Sequence, residues 1–155
     1  MSSMKSVHLA LELATRRRDD AGHTVVHIRR MCLAAEDQMG QLESYAIDTQ
    51  SKWALASQIR ASPEIMRHYD QFMARLLQAV ALQNQVVLER QQEFEAAKRR
   101  LLEAEIRIAS LNLMLKKKQS GMHKLQAGRE QKQLDEFAAM QHRRLHANIG
   151  TMGAS

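Results

Sequence analysis

From Met66 to Met122 every seventh residue is apolar: Met66, Met73, Val80, Val87, Phe94, Leu101, Ile108, Leu115 and Met122. A helix turns every 3.6 residues, so a repeat of seven keeps one stripe aimed at a partner helix. A second row lies three places further on, at Tyr69, Leu76, Gln83, Arg90, Ala97, Ala104, Leu111, Lys118 and Leu125, and six of these nine are apolar. No proline or glycine interrupts residues 64–120. One long coiled-coil helix is predicted, and the rest of the chain has to supply its partner.

The first half does so. Leu11, Ala14, Arg18, Ala21, Val25, Ile28, Cys32, Ala35, Met39, Leu42, Ala46, Thr49, Trp53, Ala56 and Arg60 alternate by three and four, and twelve of the fifteen are apolar. A second coiled-coil helix therefore covers about 4–60. Between the helices stands Ala61-Ser62-Pro63-Glu64. Ser62 suits the position that caps a helix, Pro63 the first helical position, where its missing N–H costs nothing, and Glu64 the positive end of the helix dipole. So short a connection predicts an all-α fold, an antiparallel two-helix coiled coil. The whole chain reads as one coiled-coil domain, with a turn at 61–63, helix two over about 64–147 and a frayed tail at 148–155.

Pairing about this turn sets residue i near residue 124 − i, so the first helix runs out near position 120 of the second. The heptad fails at the same place: Gly121 and Gly128 enter, and Arg129 takes the next stop. The remainder is predicted to overhang as a single helix. Within it Leu134, Phe137 and Ala138 share one face, and an apolar stripe on an unpaired helix marks an interface.

Composition narrows the function. Aromatic residues are 4% of the 155, there is one proline, and no apolar run approaches the 18 to 20 residues that span a bilayer. Charges at Glu12 and Arg16 to Arg18 break the amino-terminal stretch too early for a signal peptide. The lone Cys32 allows no internal disulfide and fits a reducing compartment. The net charge of +6 gathers at the two ends, which suggests acidic partners there. A cytoplasmic protein is expected. There is no glycine-rich phosphate loop, no nucleophile elbow and no pocket-forming pattern, so no enzyme, cofactor or metal is expected. His23 with His27 and His142 with His146 are each spaced for two ligands, but no further ligand completes a site, and they read as solvated. Cys32 fills a seam stop and reads as packing.

Three separated pieces carry a resemblance: Arg29-Arg30-x-Cys32-x-x-Ala35-Glu36-x-Gln38-x-x-x-Leu42-x-x-Tyr45, then Tyr69-x-Gln71-Phe72 with Leu76 and Ala79, then Gln131-Lys132-x-x-Asp135-Glu136-Phe137-Ala138. Together, over about residues 5–144, they resemble the flagellar export protein FliJ family. The resemblance implies a non-enzymatic component of flagellar type III protein export, similar to the stalk subunit of rotary ATP synthases. It implies that the open end of the hairpin sits in the hexameric export ATPase (FliI), and that the chain contacts the cytoplasmic domain of the export-gate protein FlhA and handles export chaperones. Association with the membrane would be peripheral, at the cytoplasmic face of the inner membrane.

By position, the resemblance implies a gate-binding surface of Gln38, Leu42, Tyr45, Phe72, Leu76 and Ala79. It implies an ATPase-binding region of Leu13 and Arg17 on the first helix with Lys132, Leu134, Asp135, Glu136 and Phe137 on the overhang. Leu42 and Leu76 occupy seam stops and fit packing as well; Tyr45 and Phe72 sit one place off a stop and are better set to show an edge. Close relatives would carry Tyr at Thr49 and His at Gln83. Two other readings remain open: the equivalent stalk of a virulence secretion system, and a basic nucleic-acid-binding coiled coil. Against the latter, the charges are mixed in sign along the chain and stacking aromatics are scarce; no nucleic acid is expected.

Overall fold

The computed structural model describes residues 2–58 and 62–153. They form two helices, α1 (Ser2–Ser57) and α2 (Pro63–Met152), packed against each other. Ser62 caps α2: its Oγ accepts from the Ile65 N–H at 3.3 Å, and its carbonyl takes the Met66 N–H at 3.1 Å. Helix α1 stops three residues before the predicted end, at Ser57, whose hydroxyl turns back to donate to the Ala54 carbonyl at 3.1 Å. The expected seam stop Arg60 and the turn residue Ala61 lie outside the described residues. Helix α2 runs to Met152 rather than 147. Thr151 Oγ1 donates toward the Ala147 and Asn148 carbonyls (3.1 and 2.9 Å), and the Gly153 N–H closes on Ile149 O, so the last turn has partners for its carbonyls.

The pairing is antiparallel. Cys32 reaches Arg90 and Trp53 stacks on Tyr69, pairs whose numbers each add to 122, against the 124 expected. All the predicted α1 stops from Leu11 to Trp53 are buried or half-buried, as are all those of α2 from Tyr69 to Lys118. The seam is shorter at both ends than the heptad suggested. Met66 (46% exposed) and Ala56 stand open beside the turn, and Met122 (43%) and Leu125 (65%) stand open at the far end. With a register of 122, Met66 would need a partner at 56, the last turn of α1, where the helix is already ending.

Two packing units divide the chain: Leu13–Arg107, and Met1–Glu12 with Ile108–Ser155. The first holds Ala14, Cys32, Ala35, Ala46, Met73, Leu76 and Ala97 as its buried side chains, with Leu42 and Tyr69 packed on the cluster of Ala46, Met73 and Leu76. In the second, Val7 and Leu111 are buried, and Lys118 Nζ reaches the Ser3 carbonyl at 3.5 Å. Beyond Lys118 every described side chain is exposed, yet the helix passes through Gly121 and Gly128 without a break.

Alanines dominate the buried face, so each turn removes little apolar area from water, at roughly 0.8 kcal/mol per methylene equivalent. The few large buried side chains therefore dominate stability. Replacing Leu111, 3% exposed, by Ala should cost about 2–4 kcal/mol in chemical denaturation. At Gly121 and Gly128 the space that a Cβ would take is open. Gly121→Ala with Gly128→Ala should therefore raise helicity and add up to about 1 kcal/mol per site to helix formation, read by circular dichroism.

Candidate interaction surfaces

The heptad assigns each exposed residue to a flank. Side chains one place before the first seam row point to one side of the hairpin, and those one place after it to the other. Gln38 and Tyr45 precede Met39 and Ala46 on α1; Phe72 and Ala79 precede Met73 and Val80 on α2. All four belong to one flank, and the structure joins two of them directly. The Tyr45 and Phe72 rings meet edge to face, 6.1 Å between centroids at 81°.

Leu42, half-buried, stands three residues before Tyr45 on α1, and Leu76, 7% exposed, four residues after Phe72 on α2; both belong to the cluster around Ala46 and Met73. Tyr45 (54%) and Phe72 (41%) stay largely open, and Ala79 is half-buried beside them. Gln38, Gln41, Leu42, Tyr45 and Gln83 line a shallow groove. Gln83, a polar stop in an apolar row, donates through Nε2 to the Ala35 carbonyl at 3.0 Å and to Gln38 Oε1 at 3.4 Å. It ties the edge of this patch to both helices. Nothing in its spacing marked that role; only the pairing register reveals which α1 groups it meets. Thr49 donates to the Tyr45 carbonyl at 2.8 Å, which holds it within its own helix.

The second group of residues is exposed throughout. Leu13, half exposed, and Arg17 are four apart on one face of α1. On α2, Leu134 (64%) and Phe137 (59%) share a face, and Asp135 accepts from Gln131 Nε2 at 3.2 Å. Lys132 and Glu136 lie on the far side of that helix, both exposed. The apolar face extends further than the heptad indicated. Leu145 and Ile149, both exposed, lie eleven residues beyond Leu134 and Ala138. Eleven residues make about three turns of helix, so these side chains share the face of Leu134.

Cys32 is buried, and its Sγ donates to the Arg90 carbonyl at 3.0 Å. Burial pushes its thiol above the ordinary value of 9.0; Glu36 and Glu93 add to the rise, and Arg90 opposes it. His142 and His146 meet edge to face at 4.3 Å, and no group of three or more metal-binding side chains occurs among the described residues. Nor does any described helix have the length and apolarity to cross a membrane.

The model of the flagellar FliJ protein family matches residues 4–146. The chain belongs to the FliJ family. It is thus a component of the flagellar type III export apparatus, in a family of non-catalytic export proteins. No curated protein and no solved structure matched it. In this FliJ-family chain the motif pieces supply residues of both flanks, Tyr45 and Phe72 on one and Arg29 and Glu36 on the other, residues of the helix pairing such as Cys32 and Ala35, and the exposed end of α2.

The raised thiol gives two expectations. Cys32 should react with a thiol reagent far more slowly in the native protein than in denaturant. Because the unfolded thiol ionises near 9.0 while the folded one keeps its proton, the stability it confers is complete below that pH and is lost as pH rises through the folded value. Wild type should therefore lose stability above pH 9 more steeply than Cys32→Ala; parallel pH profiles would contradict this.

Proposed function

We propose that this chain is a stalk that couples the hexameric export ATPase (FliI) to the export gate and assists export chaperones, without chemistry of its own. The reading is supported above all by the state of α2 past Lys118, a continuous helix whose described side chains are all exposed. Folding has left an apolar face there, Leu134, Phe137, Leu145 and Ile149, with charges of both signs around it. An unpaired helix of that kind is a handle for another protein. In the proposal Lys132, Leu134, Asp135, Glu136 and Phe137, with Leu13 and Arg17, meet the ATPase.

The gate contact is assigned to the Tyr45–Phe72 flank, with Gln38, Leu42, Leu76 and Ala79. Two exposed rings in edge contact offer a rigid aromatic anchor for the cytoplasmic domain of FlhA, at little entropic cost on binding. Leu42 and Leu76 act there through packing, as part of the cluster that holds the two helices together. A single asymmetric helix inside a six-fold ring cannot touch all six subunits alike, so its contacts bias some subunits over others. That asymmetry is the means by which a protein with no active site can alter ATP turnover. Attachment to the membrane is peripheral in this reading, through the gate.

Truncation after Gly128 should abolish stimulation of the ATPase while leaving the melting of the hairpin nearly unchanged; full stimulation by the shortened chain would refute the assignment. Tyr45→Ala with Phe72→Ala should weaken capture by the gate domain about tenfold or more and leave ATPase binding near wild type. Equal losses at both partners would show that the two surfaces are not separate.

A further inference from the structure

The flank opposite Tyr45 and Phe72 carries a pattern that the export reading does not use. Val26, Leu33 and Ile47 each follow the first α1 seam row by one place, and Ala81, Leu88 and Leu102 do the same on α2. All six are exposed, Leu33 at 55% and Leu88 at 47%. Residues following the row on both helices line one groove, which Arg29, Leu33 and Glu36 border from α1 and Leu88, Glu95 and Arg99 from α2. The row is broken by Gly40 on α1 and Glu95 on α2, but Val26, Leu33, Ile47, Leu88 and Leu102 each leave apolar surface in water on one flank. They are what a further layer of helices would need.

The charges beside the groove say which partner fits. Arg29 stands one turn before Leu33 and Glu36 one turn after it, both exposed. A second copy laid antiparallel over the first, about an axis crossing near Leu33 and Leu88, sets Arg29 of each beside Glu36 of the other. The arrangement satisfies both pairs at once, as a two-fold interface must. The same axis sets Leu77 of one copy against Leu102 of the other on α2. We propose that a second copy of this chain docks on this flank, helix α1 antiparallel to α1 and α2 to α2, forming a four-helix layer pair that leaves the Tyr45–Phe72 flank open.

Sedimentation equilibrium of the full chain tests it. Wild type should pass from monomer to dimer mass as concentration rises. Arg29→Glu and Glu36→Arg, surface changes checked for intact helicity by circular dichroism, should each weaken association about tenfold or more, because two attractions become two repulsions. Mixing the two variants in equal amounts should restore association, because in the heterodimer each of the two contacts joins a carboxylate of one copy to a guanidinium of the other. In the proposed pairing the double variant, Arg29→Glu with Glu36→Arg, exchanges the two signs at every contact and should dimerise by itself as tightly as wild type. A wild type that stays monomeric up to millimolar concentration overturns the proposal and leaves the groove to a helix of another protein. Single variants that dimerise like wild type, or a double variant that fails to recover, overturn it equally.

Discussion

The antiparallel seam between α1 and α2 is the interaction on which everything else in this chain depends. It is thin. Its buried members are Val7, Ala14, Cys32, Ala35 and Ala46 on one helix and Met73, Leu76, Ala97 and Leu111 on the other, and none of the described side chains is fully withdrawn from water. Small residues let two backbones approach closely, at the expense of apolar area per turn. Such a seam stabilises by its length. It also leaves most of each helix facing outward, so a large share of the sequence is free to serve partners. A thicker core would hold the fold more firmly and display less.

Where the seam stops, the chain changes character. Up to Lys118 burial follows the heptad; past it nothing described is buried, and apolar residues return at eleven-residue spacing. The change of period marks a change of mechanical situation. A helix coiled around a partner underwinds to keep its stripe in contact, whereas a lone helix has no reason to. Heptad and burial thus stop together at Lys118. Past Lys118 no buried side chain among the described residues supports the helix, and local pairs such as Gln131 with Asp135 give only small support.

Most of the fold was legible because its determinants are local and repetitive. The heptad named the buried faces, Ser62-Pro63 named the cap, and antiparallel counting placed the partners within two positions of the observed register. The illegible part depended on side chains reaching across that register. The bond from Gln83 to Ala35 and Gln38, and the stack of Trp53 on Tyr69, need the register to within a residue, finer than a turn prediction gives. At the helix ends, hydroxyls of Ser57 and Thr151 bond back to the backbone, a detail that spacing does not record. For the surfaces, the family motifs supplied the residues. The structure added that Tyr45 and Phe72 touch, and that Leu42 and Leu76 belong to the cluster around Ala46 and Met73.

The polar stops in the seam explain how so slight an interface avoids slipping. A heptad of small and flexible apolar residues tolerates a shift by one repeat, since Ala passes Ala and methionines re-form around new neighbours. Gln83 tolerates it less well. Its amide donates across the pair to the Ala35 carbonyl and to Gln38 Oε1, while the Cys32 thiol donates to the Arg90 carbonyl. A slip would break these bonds and separate Gln83 from Gln38, a loss costing about 1–3 kcal/mol for each partly buried group left unsatisfied. Each polar stop also forgoes the stability that a leucine there would contribute, so the chain gives up some strength for a fixed alignment. That alignment is what brings Tyr45 beside Phe72. A patch built from two helices exists only while their register holds, and here the residue nearest the patch, Gln83, is one of those that hold it.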